Sequence, residues 1–154
     1  MPAELTRYAV PRWGVGELWT EDSLVLAHDF DFGPHDDVDE TAHPLVARFR
    51  AFFCGEDVSF ADVPLDEGGW TPFQRSVAGV VRGIPRGEVA SYAEVAALAG
   101  YARAQRAVGT FCARNRFMVI VPCHRVVSSD GIGSYGFAGI RVKRRLLALE
   151  GVVL

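Results

Sequence analysis

In the first third of the chain, apolar residues alternate with polar ones, which is the pattern of short β-strands. Turn residues separate the segments that follow this pattern, which are 8–10, 15–19 and 23–30. After a polar and acidic loop, apolar residues recur at helical spacing, namely Leu45, Phe49, Phe52 and Phe53. The pattern therefore predicts a small antiparallel sheet that is covered by one helix.

The second half begins with two helices that carry a start signature. Thr71 and Gln74 have the spacing of a capping box, which predicts a helix over 72–82. Ser91 and Glu94 repeat this spacing and predict a short helix that ends at a glycine.

A third helix is predicted from Arg103 onward, with one apolar and one basic face. Its apolar face holds Ala104, Val108, Phe111 and Cys112, and its opposite face holds Arg103, Arg106, Ala107, Thr110 and Arg114. A helix, a glycine turn and a basic helix form the pattern of a helix-turn-helix. Taken alone the pattern is weak, because helical hairpins are common and most basic helix faces are simply solvated.

Composition and charge divide the chain into two halves. The 154 residues are 49% hydrophobic and 23% charged, which excludes fibrous and disordered classes. No apolar run has the length of a membrane span or signal peptide, so we expect a cytoplasmic protein with no membrane partner. Residues 1–69 carry 4 basic and 15 acidic side chains, whereas residues 70–154 carry 12 and 4. The basic half is the candidate for a polyanion partner, although the two halves could instead attract each other.

The run VIVPCHRVV is apolar and strand-like except for its centre, where Cys123, His124 and Arg125 follow a proline. A nucleophilic thiol needs a base or a positive charge nearby, and His124 and Arg125 place both next to it in sequence. The alternative is a buried cysteine beside a core histidine. Three widely spaced cysteines form no disulfide framework. Cys54 and Cys112 are predicted to be buried thiols, because Cys112 lies on the apolar helix face and Cys54 follows the apolar segment PLVARFRAFF.

The segment PCHRV closely resembles the active-site motif of the O6-alkylguanine-DNA alkyltransferases, which move an alkyl group from damaged DNA to their own cysteine. In order and spacing the resemblance runs from TPFQRSV through GEVASYAEVAALAG, RAVG and VPCHRVVSSDG to LLALEG, over residues 71–151. It implies an α/β (α+β) fold with two domains. Residues 1–69 form a small antiparallel sheet with a helix, ribonuclease H-like, and residues 70–154 form a mostly helical, winged-helix-like domain with a helix-turn-helix.

Carried over residue by residue, the resemblance implies a relay of cysteine, histidine and glutamate. Cys123 is the acceptor nucleophile, His124 is its base through a water molecule, and Glu150 orients the imidazole. Asn115 braces the active-site turn, and Tyr92 donates a proton or hydrogen bond to the extruded guanine. The product is a thioether, so each molecule reacts once, as a single-turnover methyltransferase without a cofactor.

The resemblance also implies how DNA is bound. Arg106 fills the space that the flipped nucleotide vacates, and its helix lies in the minor groove. Further DNA contacts are expected from Arg103, Gln105, Ala107, Thr110 and Arg114. The base pocket is walled by Met118, Val126, Ser134, Tyr135 and Gly136. Met118 and the segment Gly136-Phe137-Ala138 depart from the family pattern, which affects the alkyl groups that fit.

The implied substrates are O6-alkylguanine and O4-alkylthymine in double-stranded DNA, bound by a monomer that can assemble cooperatively. No metal is expected, because His28, His35 and His43 match no ligand spacing and are predicted to belong to a solvated acidic region. The basic run RVKRR is predicted to form an outer helix whose inward face is Val142, Leu146 and Leu149.

Two other functions stay open at this point. The first is a non-catalytic protein that binds alkylated DNA and recruits repair factors, as the alkyltransferase-like members of the family do. Those members carry tryptophan at the position of Cys123, which argues against this function. The second is a thiol hydrolase that uses Cys123 and His124, but such enzymes usually bring the two residues together from distant positions.

Overall fold

Two groups of secondary-structure elements follow one another along the chain in the computed structural model, which describes residues 2–136 and 138–154. They form two compact units, Met1–Asp66 and Glu67–Leu154. The predicted mixed fold class, an antiparallel sheet with one helix followed by a mostly helical part, is confirmed. The domain limits predicted from composition, 1–69 and 70–154, stay a prediction. Among the described residues, no helix has the length and apolar character that a membrane crossing requires.

The first unit is built on a three-stranded antiparallel sheet in the order β1 (Glu4–Val10), β2 (Gly14–Glu21) and β3 (Leu24–Phe32). Buried and exposed residues alternate along the strands, as expected for a sheet with one covered face. Gly16 lies opposite Tyr8, and a Cβ at Gly16 would come within 2.1 Å of the tyrosine ring. The glycine therefore leaves room for the ring to lie flat across the sheet.

Helix α1 (Pro44–Phe53) covers this sheet, as predicted, and the side chain of His43 caps its first turn. Phe49 is fully buried and stacks on the rings of Tyr8 and His28, with centroid separations of 5.5 and 4.0 Å. Tyr8 Oη lies 2.7 Å from His28 Nε2. His28 is therefore a core residue, and the prediction that placed it in a solvated acidic region is wrong.

The second unit contains helices α2 (Pro72–Arg82), α3 (Tyr92–Leu98), α4 (Gln105–Ala113) and α5 (Gly139–Leu149). The predicted capping boxes are present at both α2 and α3, where Thr71 with Gln74 and Ser91 with Glu94 bond reciprocally. Each box satisfies backbone N–H groups that the first helical turn leaves without partners. The sequence-predicted starts of these two helices are confirmed.

A short parallel pair of strands brings distant parts of the second unit together. Strand β4 (Ala90–Ser91) pairs with β5 (Val126–Val127), and Ser91 lies opposite Val127. Since Tyr92 follows β4 directly and Cys123 shortly precedes β5, this pairing sets the start of α3 beside the cysteine turn.

Two predictions about burial are wrong. Cys54 is exposed, because it is the C-cap of α1 and lies beyond the last turn that faces the sheet. Cys112 is only half-buried, although it belongs to α4.

Candidate active site

The segment predicted to be strand-like instead forms one turn of 3-10 helix over Cys123, His124 and Arg125. It follows Pro122, which has no N–H to give to a sheet. The amides of Cys123 and Arg125 donate to the carbonyls of Val121 and Pro122 at 2.8 and 2.9 Å. A 3-10 helix has three residues per turn, so the three neighbouring side chains point about 120° apart. All three are buried, with exposed fractions of 1%, 0% and 8%.

The turn and the end of α5 share a buried charge cluster centred on Glu150. Arg125 donates from Nε and Nη2 to the two carboxylate oxygens of Glu150, at 2.9 and 2.6 Å. His124 Nε2 lies 3.1 Å from the same carboxylate. Arg125 also donates to the carbonyl of Ile84 at 2.8 Å. The structure thus brings His124 and Glu150 together, and Arg125, which the sequence pattern offered as a charge for the thiol, holds the glutamate instead.

The electrostatics of this cluster give each group a defined charge state. Burial acts to raise the pKa of Glu150, but hydrogen bonds from His124 and Arg125 outweigh it and lower that pKa to about 2. Burial lowers the pKa of His124 below its ordinary value, although Glu150 acts in the opposite direction. At neutral pH the glutamate is therefore ionised and the imidazole is neutral, which is the form that can accept a proton.

The thiol of Cys123 is protonated in the resting protein. Burial raises its pKa well above the ordinary value, and a hydrogen bond shared with Cys112 acts in the same direction. The positive charge of Lys143 acts in the opposite direction. Because only the thiolate is a good nucleophile, a nucleophilic role for Cys123 would require a base nearby.

Asn115 joins the end of α4 to the segment that leads to the cysteine turn. Its side-chain amide donates to the carbonyl of Val121 at 2.8 Å, and its side-chain oxygen accepts from the amide of Phe117 at 2.9 Å. The side chain therefore holds the chain two residues ahead of Cys123, which is the place where a brace on the turn acts.

Tyr92 stands at the start of α3 with its ring half-buried against the loop after β5. Its hydroxyl lies 3.4 Å from the carbonyl oxygen of Ser134. A Cβ at Gly133 would come within 2.8 Å of this hydroxyl, so the ring position depends on that glycine. Tyr135 is buried and meets His124 edge-on, with ring centroids 6.5 Å apart. The structure therefore brings Tyr92, Ser134 and Tyr135 into one site with the histidine.

The other predicted pocket residues differ from one another in burial. Val126 is fully buried directly after the cysteine turn. Gly136 has a φ of 49°, and a Cβ there would come within 3.0 Å of the carbonyl oxygen of Ala113. Met118 is half-buried between the brace and the turn. Phe137, which departs from the family pattern, lies outside the described residues.

The exposed face of α4 and the residues at its two ends carry the side chains that were predicted to contact DNA. The prediction that this helix begins at Arg103 is wrong, because Arg103 has a φ of 74° and α4 begins at Gln105. Val108 and Phe111 are the buried positions of this helix. The side chains of Arg103, Gln105, Arg106, Ala107, Thr110 and Arg114 are exposed. A helix that buries one face and presents arginines and small residues on the other is suited to approach a nucleic-acid groove.

Lys143 is a site residue that the sequence analysis misplaced on an outer helix. The inward face of α5 holds Lys143, Leu146, Leu147 and Glu150, instead of Val142, Leu146 and Leu149. The last three of these residues lie three, four and seven positions after Lys143, which is the ordinary spacing for one face of a helix. Because lysine is almost never fully buried, the sequence analysis placed Lys143 on the outer face instead. Lys143 is the only lysine among the 16 basic residues of the chain. This single use of lysine is the feature of the sequence that could have identified it as a site residue.

Comparison with known proteins gives consistent matches. A family model described as the DNA-binding domain of 6-O-methylguanine DNA methyltransferase matches residues 72–152. A methylated-DNA--protein-cysteine methyltransferase of Methanothermobacter thermautotrophicus is 37% identical over 148 residues, which cover 94% of this chain and 83% of that protein.

Solved structures agree with these matches. The crystal structure of Mycobacterium tuberculosis O6-methylguanine methyltransferase is similar with a TM-score of 0.78 and 31% identity, covering 97% of this chain and 93% of that one. A crystal structure of Mycobacterium tuberculosis OGT in complex with DNA is similar with a TM-score of 0.78 and 34% identity, covering 96% and 92%.

Proposed function

The chain belongs to the methylated-DNA--protein-cysteine methyltransferase family and is thus a DNA-binding enzyme of alkyl repair, and from this premise we propose how its residues act. Cys123 takes the alkyl group of O6-alkylguanine, and also of O4-alkylthymine, in a single irreversible transfer. The observation that carries this proposal is the buried array in which Cys123 is followed by His124, and His124 lies 3.1 Å from the ionised Glu150.

In this proposal, the relay removes the thiol proton only when the substrate is in place. The neutral imidazole of His124 accepts the proton of Cys123 through a water molecule. Glu150, held by Arg125, stabilises the imidazolium that forms. The thiolate then attacks the alkyl carbon, and the carbon–oxygen bond electrons move onto the purine. Tyr92 protonates the purine, so the base leaves neutral, and the thioether that remains is not displaced by water.

The alkylated base lies inside the duplex, so it has to be rotated out before Cys123 can attack in line. We assign this step to α4, which enters the minor groove with Arg106 filling the vacated space. Exposure of Arg106 together with small neighbours such as Ala107 supports this assignment, because small side chains permit close approach to the groove. Two exposed arginines flank α4, Arg103 before its start and Arg114 at its C-cap, and we assign them to the phosphates.

Intact mass after mixing with one equivalent of duplex that contains O6-methylguanine tests the transfer. We expect one added methyl group per protein, located at Cys123 by peptide mapping and absent in Cys123→Ala. The exposed thiol of Cys54 provides the matched control, and Cys54→Ala should react as the unsubstituted protein does. An unchanged mass together with tight, lesion-dependent binding would contradict the proposal and support the role of a lesion-binding protein that recruits repair factors.

Extrusion of the base is tested with a duplex that carries fluorescent 2-aminopurine at the lesion position. Unstacking increases the fluorescence, so we expect the protein to raise the signal and Arg106→Ala to reduce that rise. Arg144→Ala removes another exposed arginine, from α5, and serves as the control. If the two variants behaved alike, Arg106 would not be the residue that fills the stack.

A further inference from the structure

Cys112 is a second thiol beside the candidate active site, and the proposed alkyl transfer gives it no role. It is half-buried on α4, whereas Cys123 is 1% exposed, and both are free thiols. The two side chains share a hydrogen bond. Tyr92 and Lys143 each lie close enough to both sulfur atoms to be affected by their charge. Two thiols in contact are the starting point of a disulfide, so the pair calls for a chemical explanation.

The packing of α4 accounts for the contact between the two thiols. Gly109, three positions before Cys112, lies against the ring of Tyr92, since a Cβ at this glycine would be 4.0 Å from the ring. Just after the helix, the side chain of Asn115 donates to the carbonyl of Val121 at 2.8 Å, two residues ahead of the acceptor cysteine. The last turn of α4 is therefore held against the cysteine turn, and the thiols meet before any substrate arrives.

The two thiols differ in how easily an oxidant reaches them. Cys112 is half-buried, so a small molecule such as hydrogen peroxide has access to its sulfur. Cys123 is a poor first target, because it is almost fully buried and burial raises its pKa, which keeps it in the unreactive thiol form. An accessible thiol next to a second, resolving thiol is the arrangement of redox-sensitive cysteines.

We propose that Cys112 and Cys123 form a reversible disulfide when the protein meets a peroxide, and that this bond keeps the acceptor cysteine in a protected, inactive form. The disulfide itself does not depend on alkyl transfer, whereas its effect on activity rests on the proposed function. A cysteine without a thiol partner is oxidised onward to sulfinic acid, which is irreversible. Because each molecule is proposed to react once, irreversible oxidation of Cys123 would remove that molecule from repair.

The oxidation balances with peroxide as the only co-reactant. The sulfur of Cys112 attacks one peroxide oxygen, the oxygen–oxygen bond breaks, and a sulfenic acid and one water form. The sulfur of Cys123 then attacks the sulfur of Cys112. The sulfur–sulfur bond forms, the sulfur–oxygen bond breaks, and the leaving hydroxide takes the thiol proton of Cys123 to give a second water. A dithiol such as dithiothreitol reverses the change by returning two electrons and two protons.

Peptide mapping of peroxide-treated protein tests the disulfide. The Cys54→Ala variant is used, because it leaves Cys112 and Cys123 as the only thiols. After oxidation of the folded protein, free thiols are blocked with iodoacetamide in denaturant and the protein is digested with trypsin without a reductant. Trypsin cuts after arginine and separates the two cysteines into peptides 107–114 and 117–125. We expect the two peptides joined, with a mass lower by two hydrogen atoms than their sum. Separate peptides, whether blocked or oxidised to sulfinic acid, would overturn the inference.

Methyl transfer from an O6-methylguanine duplex tests the consequence for activity. We expect peroxide to reduce transfer towards the level of Cys123→Ala, and dithiothreitol to restore it. Cys112→Ser keeps the size of the side chain and removes the second thiol, so it should show no loss that dithiothreitol restores. Cys112→Ala serves the same purpose if the serine variant does not fold. A loss that is restored to the same extent without Cys112 would contradict the inference.

The two readouts separate this inference from the proposed function. If the joined peptides formed while neither the oxidised nor the reduced protein accepted a methyl group, the proposed function would be wrong and the disulfide correct. Normal transfer by a protein whose two thiols stay free after peroxide treatment would reverse that conclusion.

Discussion

Replacing Glu150 by glutamine tests the buried charge cluster, because the substitution keeps the shape of the side chain and removes its charge. Glu150 accepts two hydrogen bonds from Arg125, lies 3.1 Å from His124 and is 5% exposed. In the variant, the buried guanidinium of Arg125 would face a neutral amide that offers one acceptor atom in place of two. Removing one partner of a buried ion pair costs about 3–5 kcal/mol of unfolding free energy.

The lowered pKa of Glu150 gives a second value for the free energy that this interaction contributes to folding. Its pKa is lowered from the ordinary value of 4.5 to about 2, and each unit corresponds to roughly 1.4 kcal/mol. Ionised Glu150 therefore contributes about 3 kcal/mol to the unfolding free energy, in agreement with the first figure. Because the pKa is lower in the folded state, this contribution is complete above pH 4.5 and is lost as the pH falls towards 2.

Urea unfolding, followed by circular dichroism at neutral pH and at acid pH, measures the effect. We expect Glu150→Gln to be about 3 kcal/mol less stable at neutral pH, and the difference to shrink by roughly 1.4 kcal/mol per pH unit below 4.5. Glu88 is exposed, so Glu88→Gln is the matched control and should leave the unfolding free energy unchanged. A difference that is the same at every pH would refute the assignment of this stability to the charge of Glu150.

Two further substitutions test the surroundings of the thiol and the tyrosine. Gly133→Ala would place a Cβ within 2.8 Å of Tyr92 Oη at a φ of 78°, so we expect slower methyl transfer and a stability loss of about 1–2 kcal/mol. Gly131→Ala, whose Cβ meets nothing nearer than 4.0 Å, should change neither, and equal effects at both glycines would contradict this reasoning. Burial first, and then a hydrogen bond shared with Cys112, raises the pKa of Cys123, so Cys112→Ala should let iodoacetamide alkylate Cys123 faster at neutral pH. A rate that stays the same or falls would show that the shared hydrogen bond does not restrain the thiol.

The parts of the fold that could be predicted depend on interactions between residues close in sequence. Both capping boxes join residues three positions apart, so Thr71 and Gln74 predict the start of α2 from the local sequence alone. The alternating strands and the helix that covers them also follow from local periodicity. The run around Cys123 was read wrongly, because its apolar residues are equally consistent with a strand and with a buried turn.

The residues of the candidate active site divide in a similar way. Cys123, His124, Glu150 and Asn115 were predicted through a sequence resemblance, whereas the contact of Arg125 with Glu150 joins residues 25 positions apart. Lys143 was placed on the wrong face, because local rules treat lysine as a surface residue. Its carbonyl and hydroxyl partners come from the loop after β5 and from α3, and neither is near it in sequence.

The sequence by itself determined most element types, the starts of α2 and α3, the basic character of the second half and the candidate nucleophile, because each depends on local pattern or on a motif. The tertiary structure alone decided the charge states. Burial keeps Cys123 protonated and His124 neutral, and it makes Lys143 a readily titrated cation beside Tyr92. A pKa depends on solvent exclusion and on charges a few ångströms away, and both are properties of packing that no single segment carries.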